Sequence, residues 1–266
     1  MEIKKILEVF NSLAPLSFSD DAIKNLGCYD NSGLLIDCGG ETNSVVCALD
    51  LTDEVVDYAI KVGAKLIITH HPAIYRAIKN VNGTYVKAIK NGITVYSAHL
   101  CLDVANNGIE DNLALFAGAK QSEILQKVNE GHGFGRKFDI SPKTAENVVN
   151  ELIATLSTDK FMFFGDKNSV VNKIATFCGS GLSEQSIYLA RDCDLLISAD
   201  ISHHVLLSAL NQGKCVLQLT HYASEMLAMK HFVKELFENQ LKMKYYFYTD
   251  KRFLWFSCKS KIKLKV

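Results

Sequence analysis

The fold is decided by the stretch SVVCALDLTDEVVDYAIKVGAKLIITHHP, residues 44–72, in which an amphipathic segment separates two apolar runs. Residues 44–50 and 65–71 are short and rich in β-branched side chains, which predicts two buried strands. Residues 52–63 repeat their apolar positions at helical spacing, and Gly63 stands where a helix would end. Strand, helix and strand in this order predict a βαβ unit with parallel strands.

The same alternation continues along the chain on both sides of this unit. Further helices are predicted over 84–92, 109–118, 143–156, 183–191 and 221–240. Further strands are predicted over 93–99, 160–165, 172–178, 194–200 and 214–219. The aromatic and β-branched tail, 244–266, is expected to form a terminal hairpin or extra strands. The sequence therefore predicts an α/β protein with mainly parallel sheets.

A length of 266 residues predicts one large domain or two modest ones. The segment 129–142 interrupts the alternation because it carries three glycines within five residues, at 131, 133 and 135. We interpret it as a loop between two α/β lobes. The lobes are expected to span 1–128 and 129–266, and the C-terminal part can pack back on the first lobe.

Composition excludes several classes of protein. The chain has 29 basic and 29 acidic side chains, so no global positive field supports binding to nucleic acid or to an acidic membrane surface. No apolar run approaches the roughly 18 residues needed to span a bilayer. The eight cysteines include no Cys-x-x-Cys pair, and most lie in apolar segments. This pattern is typical of reduced thiols in a cytoplasmic protein.

Metal-binding side chains are concentrated at the ends of predicted strands. Six of the eight histidines lie in two windows, 70–103 and 200–225, which also carry Asp103, Asp200 and Glu225. Ligands in open α/β sheets bind beyond the carboxyl ends of strands. The histidines that end or follow a predicted strand are His70, His71, His99, His203, His204 and His221.

The spacing within these windows suits two neighbouring metal ions. His70 and His71 can diverge where a strand becomes a loop, and each can serve a different ion. His221 and Glu225 are four residues apart at the start of a predicted helix, so their side chains project together. A carboxylate such as Asp103 can bridge two cations. Imidazoles with carboxylates suit Zn, Fe, Mn, Co or Ni better than Ca or Mg.

Other polar residues have ordinary explanations. His132 and His231 are interpreted as structural or solvent-facing histidines. Residues 178–190 resemble a phosphate-binding glycine loop, but Glu184 stands where a dinucleotide fingerprint requires glycine, which favours a tight strand-to-helix turn. Arg136 is equally compatible with contact to an anion and with a solvent-facing position.

The sequence resembles the Nif-three-like proteins, a family of GTP cyclohydrolase I type 2 homologues. The blocks that match occur in the family's order. They are YDNSGLLID (29–37), ALDLTDEVVDYAI (48–60), LIITHHPAIY (66–75), VYSAHLCLDVANNGIEDNLA (95–114), GFGR (133–136), CGSG (178–181), DLLISADISHH (194–204) and LTHYASE (219–225). The double histidine before proline and the final His-x-x-x-Glu are the most specific.

This resemblance implies two α/β lobes with a dinuclear metal site in the cleft between them, and a ring-shaped homohexamer. It implies two divalent transition metal ions per chain, held by His70, His71, Asp103, His221 and Glu225. Four positions depart from the family's usual residues: Leu100, Cys101, Ala199 and Thr220. These departures affect the surroundings of the ligands and leave the five ligands intact.

Two functions are compatible with such a site. The first is hydrolysis of GTP, another nucleotide or a phosphoester by metal-activated water, which would require an anionic small-molecule ligand. The second is a metal-binding module without turnover, which delivers or stores metal or binds a protein partner. In the hydrolase, His99 and His204 are expected to transfer protons, because each lies close in sequence to the end of a strand at the site without being an expected ligand.

Cys101 lies two residues before Asp103. If this segment is extended, both side chains point the same way and the thiol lies near the metals. An inert buried cysteine is the alternative.

Overall fold

The computed structural model describes residues 1–81 and 83–253. Its strands are β1 (Gly33–Ile36), β2 (Ser44–Ala48), β3 (Leu66–Thr69), β4 (Thr94–Ser97), β5 (Glu123–Asn129), β6 (His132–Thr144), β7 (Phe161–Phe164), β8 (Val170–Thr176), β9 (Leu195–Ala199), β10 (Cys215–Leu219) and β11 (Lys244–Phe247). Its α-helices are α1 (Ile3–Leu13), α2 (Leu16–Leu26), α3 (Asp53–Val62), α4 (Thr84–Lys90), α5 (Leu100–Val104), α6 (Ile109–Phe116), α7 (Ala145–Thr155), α8 (Glu184–Leu189), α9 (His203–Asn211) and α10 (His221–Lys234). A π-helical segment, Glu235–Gln240, continues α10.

The first sheet has the order β1-β4-β3-β2-β11. Its strands are parallel except for β1, which pairs antiparallel with β4. The predicted βαβ unit is present as β2, α3 and β3. The hydroxyl of Thr52 accepts a hydrogen bond from the amide of Val55 and caps α3, and Gly63 ends this helix with φ of 71°.

The second sheet has the order β5-β6-β8-β9-β10-β7 and is mixed. The pairs β8–β9 and β9–β10 are parallel, whereas β5–β6, β6–β8 and β7–β10 are antiparallel. The α/β class with two lobes is therefore confirmed. The parallel character expected of both sheets holds for the first sheet and for the β8–β9–β10 part of the second.

The loop expected over 129–142 is wrong, because this segment forms the turn of the β5–β6 hairpin and most of β6. Its glycines permit close approach within the sheet. A Cβ on Gly133 would lie 2.2 Å from the carbonyl oxygen of Gln126, and one on Gly135 would lie 2.5 Å from the ring of Phe177. A cluster of glycines thus marks crowding between strands here, and the boundary expected after residue 128 falls inside the hairpin.

The C-terminal part returns to the first lobe. The strand β11 pairs with β2, and α10 packs against α6. The rings of Phe10 in α1 and Phe232 in α10 meet edge to face with centroids 5.6 Å apart. One apolar cluster includes residues from both sheets, so the lobes share a core around the site. Of the tail expected to form strands, β11 is present and residues 254–266 lie outside the described residues.

The sequence reasoning did not predict five elements: α2, α5, α9, β1 and β5. Within residues 1–81 and 83–253, none of the helices combines the length and the apolar character that crossing a bilayer requires.

Candidate metal centre

His70 and His71 follow β3 and diverge as expected, with ring centroids 4.9 Å apart. His70 is fully buried, and its Nδ1 lies 2.9 Å from the carbonyl oxygen of Ala98. Because a carbonyl can only accept, Nδ1 carries the proton and Nε2 presents its lone pair. Burial lowers the pKa of His70 to about 3, so the imidazole stays neutral.

The Nε2 atom of His70 is buried and has no hydrogen-bond partner among the described residues. It lies 3.4 Å from Oδ1 of Asp103 and 3.8 Å from Oε2 of Glu225. A buried nitrogen without a partner is costly unless something else coordinates it. This atom is therefore the clearest sign that the site accepts a ligand.

His71 is fixed from both sides. Its Nδ1 lies 2.7 Å from Oδ1 of Asp50, and its Nε2 lies 3.0 Å from Oε2 of Glu225. Burial alone would lower the pKa of His71, but its hydrogen bonds to Asp50 and Glu225 outweigh this effect and raise the pKa to about 10. The sequence reasoning missed Asp50, although its position at the end of the predicted strand 44–50 was the signal.

His221 and Glu225 lie on one face of the first turn of α10, and Nε2 of His221 is 3.1 Å from Oε1 of Glu225. Thr220 caps this helix by accepting from the amide of Ala223, which explains how threonine serves at a position where the family usually has glycine. Nδ1 of His221 is 2.6 Å from Oδ2 of Asp200. Its hydrogen bond to Glu225 contributes most to raising the pKa of His221 to about 9.

Two buried carboxylates complete the cluster. Burial raises the pKa of Asp103, on α5, to about 7, although nearby His99 opposes this effect. Burial would also raise the pKa of Glu225, but contacts with His221, His70 and His71 outweigh it and hold the pKa well below its usual range. The structure thus brings together all five side chains that the resemblance named as ligands.

His99 approaches the same cluster, with its ring centroid 5.3 Å from that of His70. Its Nδ1 lies 2.9 Å from Oδ1 of buried Asp30, whose other oxygen accepts a hydrogen bond from Ser32. Asp30 and Ser32 belong to the block 29–37. A carboxylate therefore orients the ring of His99 through Nδ1, as it does for His71 and His221.

The structure differs from what the sequence suggested for two residues, His204 and Cys101. His204 is exposed in the first turn of α9, beside the ring of His203, and none of its contacts in the described parts of the chain is with the cluster. Cys101 lies in the helix α5, so the extended geometry that would have turned it toward the metals is wrong. It is a buried thiol, and burial raises its pKa to about 12.

Two groups of side chains have ligand atoms close enough to hold an ion. One consists of His70, His99 and Asp103, and the other of His70, His71 and Glu225; within each, the atoms lie within 4.8 Å of one another. Nε2 of His221 is 3.2 Å from Nε2 of His71, which extends the second group. Neutral imidazole and carboxylate are donors that suit divalent transition metals.

A cavity of about 520 Å³ opens above the cluster. His71, His99 and His221 form part of its wall, together with the aromatic rings of Tyr75, Tyr222 and Phe253. The rings of Tyr222 and Phe253 stack with centroids 4.7 Å apart and an interplanar angle of 6°. The volume suits a small organic ligand.

Fold and site together define a two-lobed α/β protein with a His/Asp/Glu cluster between the lobes. The family model for Duf34/NIF3 (NGG1p interacting factor 3) matches residues 1–252, and the chain belongs to this family. A GTP cyclohydrolase 1 type 2 homolog of Methanocaldococcus jannaschii is 30% identical over 246 residues, which cover 90% of this chain and 96% of that protein.

Two further comparisons extend this result. NGG1-interacting factor 3 of Saccharomyces cerevisiae is 25% identical over 276 residues, which cover 90% of this chain and 91% of that protein. The crystal structure of hypothetical protein SA1388 of Staphylococcus aureus superposes with a TM-score of 0.82 at 24% identity, and the match covers 94% of this chain and 97% of that one. The structural likeness confirms the fold.

Proposed function

We propose that the cluster binds two divalent transition metal ions through His70, His71, Asp103, His221 and Glu225. The single observation that carries this proposal is the buried Nε2 of His70, which has no partner in the described residues and lies beside both carboxylates. Zn, Fe, Mn, Co and Ni are the ions that suit this donor set.

The residues around these ligands support the same proposal. The Nδ1 atoms of His71 and His221 face Asp50 and Asp200, and that of His70 faces a backbone carbonyl. Each contact leaves Nε2 directed into the cluster. Carboxylates and carbonyls in this position orient ligating histidines and strengthen them as donors.

The function that this geometry supports best is hydrolysis of a nucleotide or another phosphoester, with GTP as the first substrate to test. Two divalent ions carry four positive charges and the two carboxylates return two, which leaves a site that attracts an anion. The ions would supply Lewis acidity and make water a stronger acid. The names of relatives, which include GTP cyclohydrolase 1 type 2 of Helicobacter pylori, support the choice of GTP.

Within this proposal His99 holds and transfers the proton. Asp30 fixes its ring through Nδ1, and the ring borders the cavity in which a substrate would lie. Burial would lower the pKa of His99, but the hydrogen bond to Asp30 and the negative charges of Asp103 and Asp30 together outweigh it and raise the pKa. His204, which the sequence suggested for the same role, is exposed outside the cluster, so we assign the proton transfer to His99 alone.

A metal-loaded substrate screen tests the function. Samples of the protein are loaded separately with Zn, Mn, Fe or Co and incubated with GTP, other nucleotides and phosphoesters. The products are then separated by chromatography. We expect turnover that disappears in Asp103→Ala. His99→Ala should retain the metal and lose about 10²–10⁴-fold in rate. If His99→Ala instead loses metal, His99 is a ligand of the His70–Asp103 group and its role in proton transfer is wrong.

The alternative is a metal-binding module without turnover, which is favoured by the name of the yeast relative as an interacting factor. Such a module would transfer metal to an apo acceptor protein and would show no Asp103-dependent product in the screen. The ring-shaped homohexamer implied by the family resemblance is also a proposal, and light scattering of the purified chain tests it.

A further inference from the structure

The turn Cys178–Gly181 of the second lobe approaches the cluster, although sequence reasoning explained it as a simple strand-to-helix connection. Sγ of Cys178 lies 3.4 Å from Oδ1 of Asp103, and the thiol donates to that carboxylate. Within residues 1–81 and 83–253, this is the one hydrogen bond to the side chain of Asp103. Cys178 is buried, with 7% of its surface exposed, so water has little access to this contact.

The next residue of the turn touches the other half of the cluster. A Cβ on Gly179 would lie 2.5 Å from Oε1 of Glu225 and 3.0 Å from Cε1 of His221, and the residue adopts φ of 47°. Glycine is therefore required for the backbone to approach these ligands so closely. The amide of Gly179 donates to Oγ of Ser224, which ties the turn to α10.

The turn is held in place from the first lobe as well. The carboxylate of Glu110 on α6 is buried and accepts hydrogen bonds from the amides of Cys178 and Gly135, at 3.3 and 3.0 Å. Ser198 and Ala199 of β9 donate to the carbonyl oxygen of Gly179. These contacts fix the backbone that carries the thiol, so the position of Sγ is set before any ligand arrives.

A second observation points to the same carboxylate oxygen. The unpartnered Nε2 of His70 lies 3.4 Å from Oδ1 of Asp103, the atom that the thiol also approaches. Asp103 is buried on a five-residue helix, and in the described residues the thiol of Cys178 makes the one hydrogen bond that fixes the orientation of its carboxylate. When the thiol of Cys178 donates to one side of the Asp103 carboxylate, the remaining lone pairs of that carboxylate face the imidazole of His70 and the space that an ion would occupy.

We propose that Cys178 is a positioning residue whose thiol holds the carboxylate of Asp103 in the orientation needed to bind metal. The proposal rests on the metal centre described above. The thiol acts through Asp103 and remains protonated, so it is not itself a ligand. Residues in this relation to a metal ligand commonly change metal affinity by about 10–100-fold when they are replaced.

Three substitutions at this position separate hydrogen bonding from packing. Cys178→Ser keeps a donor, Cys178→Val fills a similar volume without a donor, and Cys178→Ala removes both. Cys193→Ala is the matched control, because Cys193 is a buried thiol of the same lobe whose one hydrogen bond in the described residues goes to the exposed Asp192. Circular dichroism establishes which variants fold, and the Val variant carries the test if Ala does not fold.

Co²⁺ affinity is measured by competition with a chromophoric chelator, together with the absorption spectrum of the Co²⁺-loaded chain. We expect Val and Ala to weaken binding by at least about tenfold, while Ser and Cys193→Ala stay within about threefold of the unsubstituted chain. The spectrum should contain no thiolate-to-cobalt charge-transfer band that disappears in Cys178→Ser.

Three results would overturn the proposal: equal affinity in Val and the unsubstituted chain, a Ser variant as weak as Val, or a charge-transfer band that depends on Cys178. If the unsubstituted chain binds no metal at all, the metal centre itself is wrong. The two failures are thus distinguishable.

Discussion

The two histidine-rich windows of the chain behave differently in the fold. In the window 70–103, all three histidines and Asp103 converge on one buried cluster. In the window 200–225, His221 and Glu225 reach the cluster from α10, whereas His203 and His204 turn outward on the first turn of α9. Proximity to a strand end in sequence therefore does not by itself place a side chain in the site.

The difference arises from where each helix begins. The helix α10 starts directly at His221, so its first turn faces the cluster, and the four-residue spacing brings Glu225 to the same face. After β9, residues 200–202 intervene before α9 begins, and Asp200 adopts φ of 46°. Asp200 thus faces Nδ1 of His221, while the following helix presents its histidines to solvent.

The largest effect is expected from Glu225, whose carboxylate approaches three imidazoles. Glu225→Gln keeps the shape and removes the charge, so we expect metal affinity to fall by at least about 100-fold, beyond the range typical of residues that only support a ligand. Isothermal titration calorimetry with Co²⁺ or Zn²⁺ measures this change. The exposed Glu8→Gln is the matched control, and similar affinities in the two variants would contradict the assignment of Glu225.

A smaller effect is expected from the carboxylates that orient the histidines. Asp50→Asn and Asp200→Asn should each weaken metal binding by about 10–100-fold, because they loosen His71 and His221 without removing a donor atom. Chelator competition measures both affinities. Asp37→Asn, which alters an aspartate away from the cluster, should leave the affinity unchanged; a loss of the same size there would show that the effect is not local.

Metal affinity should also depend on pH. The metal-free pKa values of His71 and His221 are raised to about 10 and about 9, so both imidazoles hold protons at neutral pH that an ion must displace. Affinity should therefore rise with pH, by about tenfold per unit for each proton released, and level off above about pH 10. Titrations in buffers of different ionisation enthalpy count the protons. A metal affinity that stays constant between about pH 6 and about pH 8 would contradict the protonated states of His71 and His221.

The smallest effect is expected from the outward-facing histidine. His204→Ala should leave metal content and any hydrolytic activity within about twofold of the unsubstituted chain, since surface substitutions away from a site usually change little. Elemental analysis and the substrate screen provide the measurement. A loss of metal in this variant would restore His204 to the site and remove the contrast between the two windows.

Sequence patterns predicted most of what positions the site. The βαβ unit around 44–72, the strand ends that carry His70, His71 and Asp200, and the turn that joins His221 to Glu225 all follow from local periodicity and capping. The hairpin at 123–144 could not be predicted in this way, because its glycines look like a loop until the facing atoms of Gln126 and Phe177 are known.

Contacts between distant segments were also beyond the reach of local patterns. The carboxylates of Asp50 and Asp30 meet His71 and His99 only after the sheet has formed. Cys178 meets Asp103 across the two lobes, 75 residues away in sequence. Of the two interpretations of Cys101, the structure supports the buried cysteine, because Leu100–Val104 forms a helix and a two-residue spacing does not place side chains together there.

Metal stoichiometry is the most direct test of the central claim that the cluster is a dinuclear centre. The chain is stripped of metal, reloaded with Zn²⁺ or Co²⁺, freed of excess ions and analysed by inductively coupled plasma mass spectrometry beside Asp103→Ala. We predict about two ions per unsubstituted chain and none tightly held in Asp103→Ala, because in our proposal the carboxylate of Asp103 would help to hold both ions. Two tightly bound ions in Asp103→Ala, or none in the unsubstituted chain, would contradict the claim.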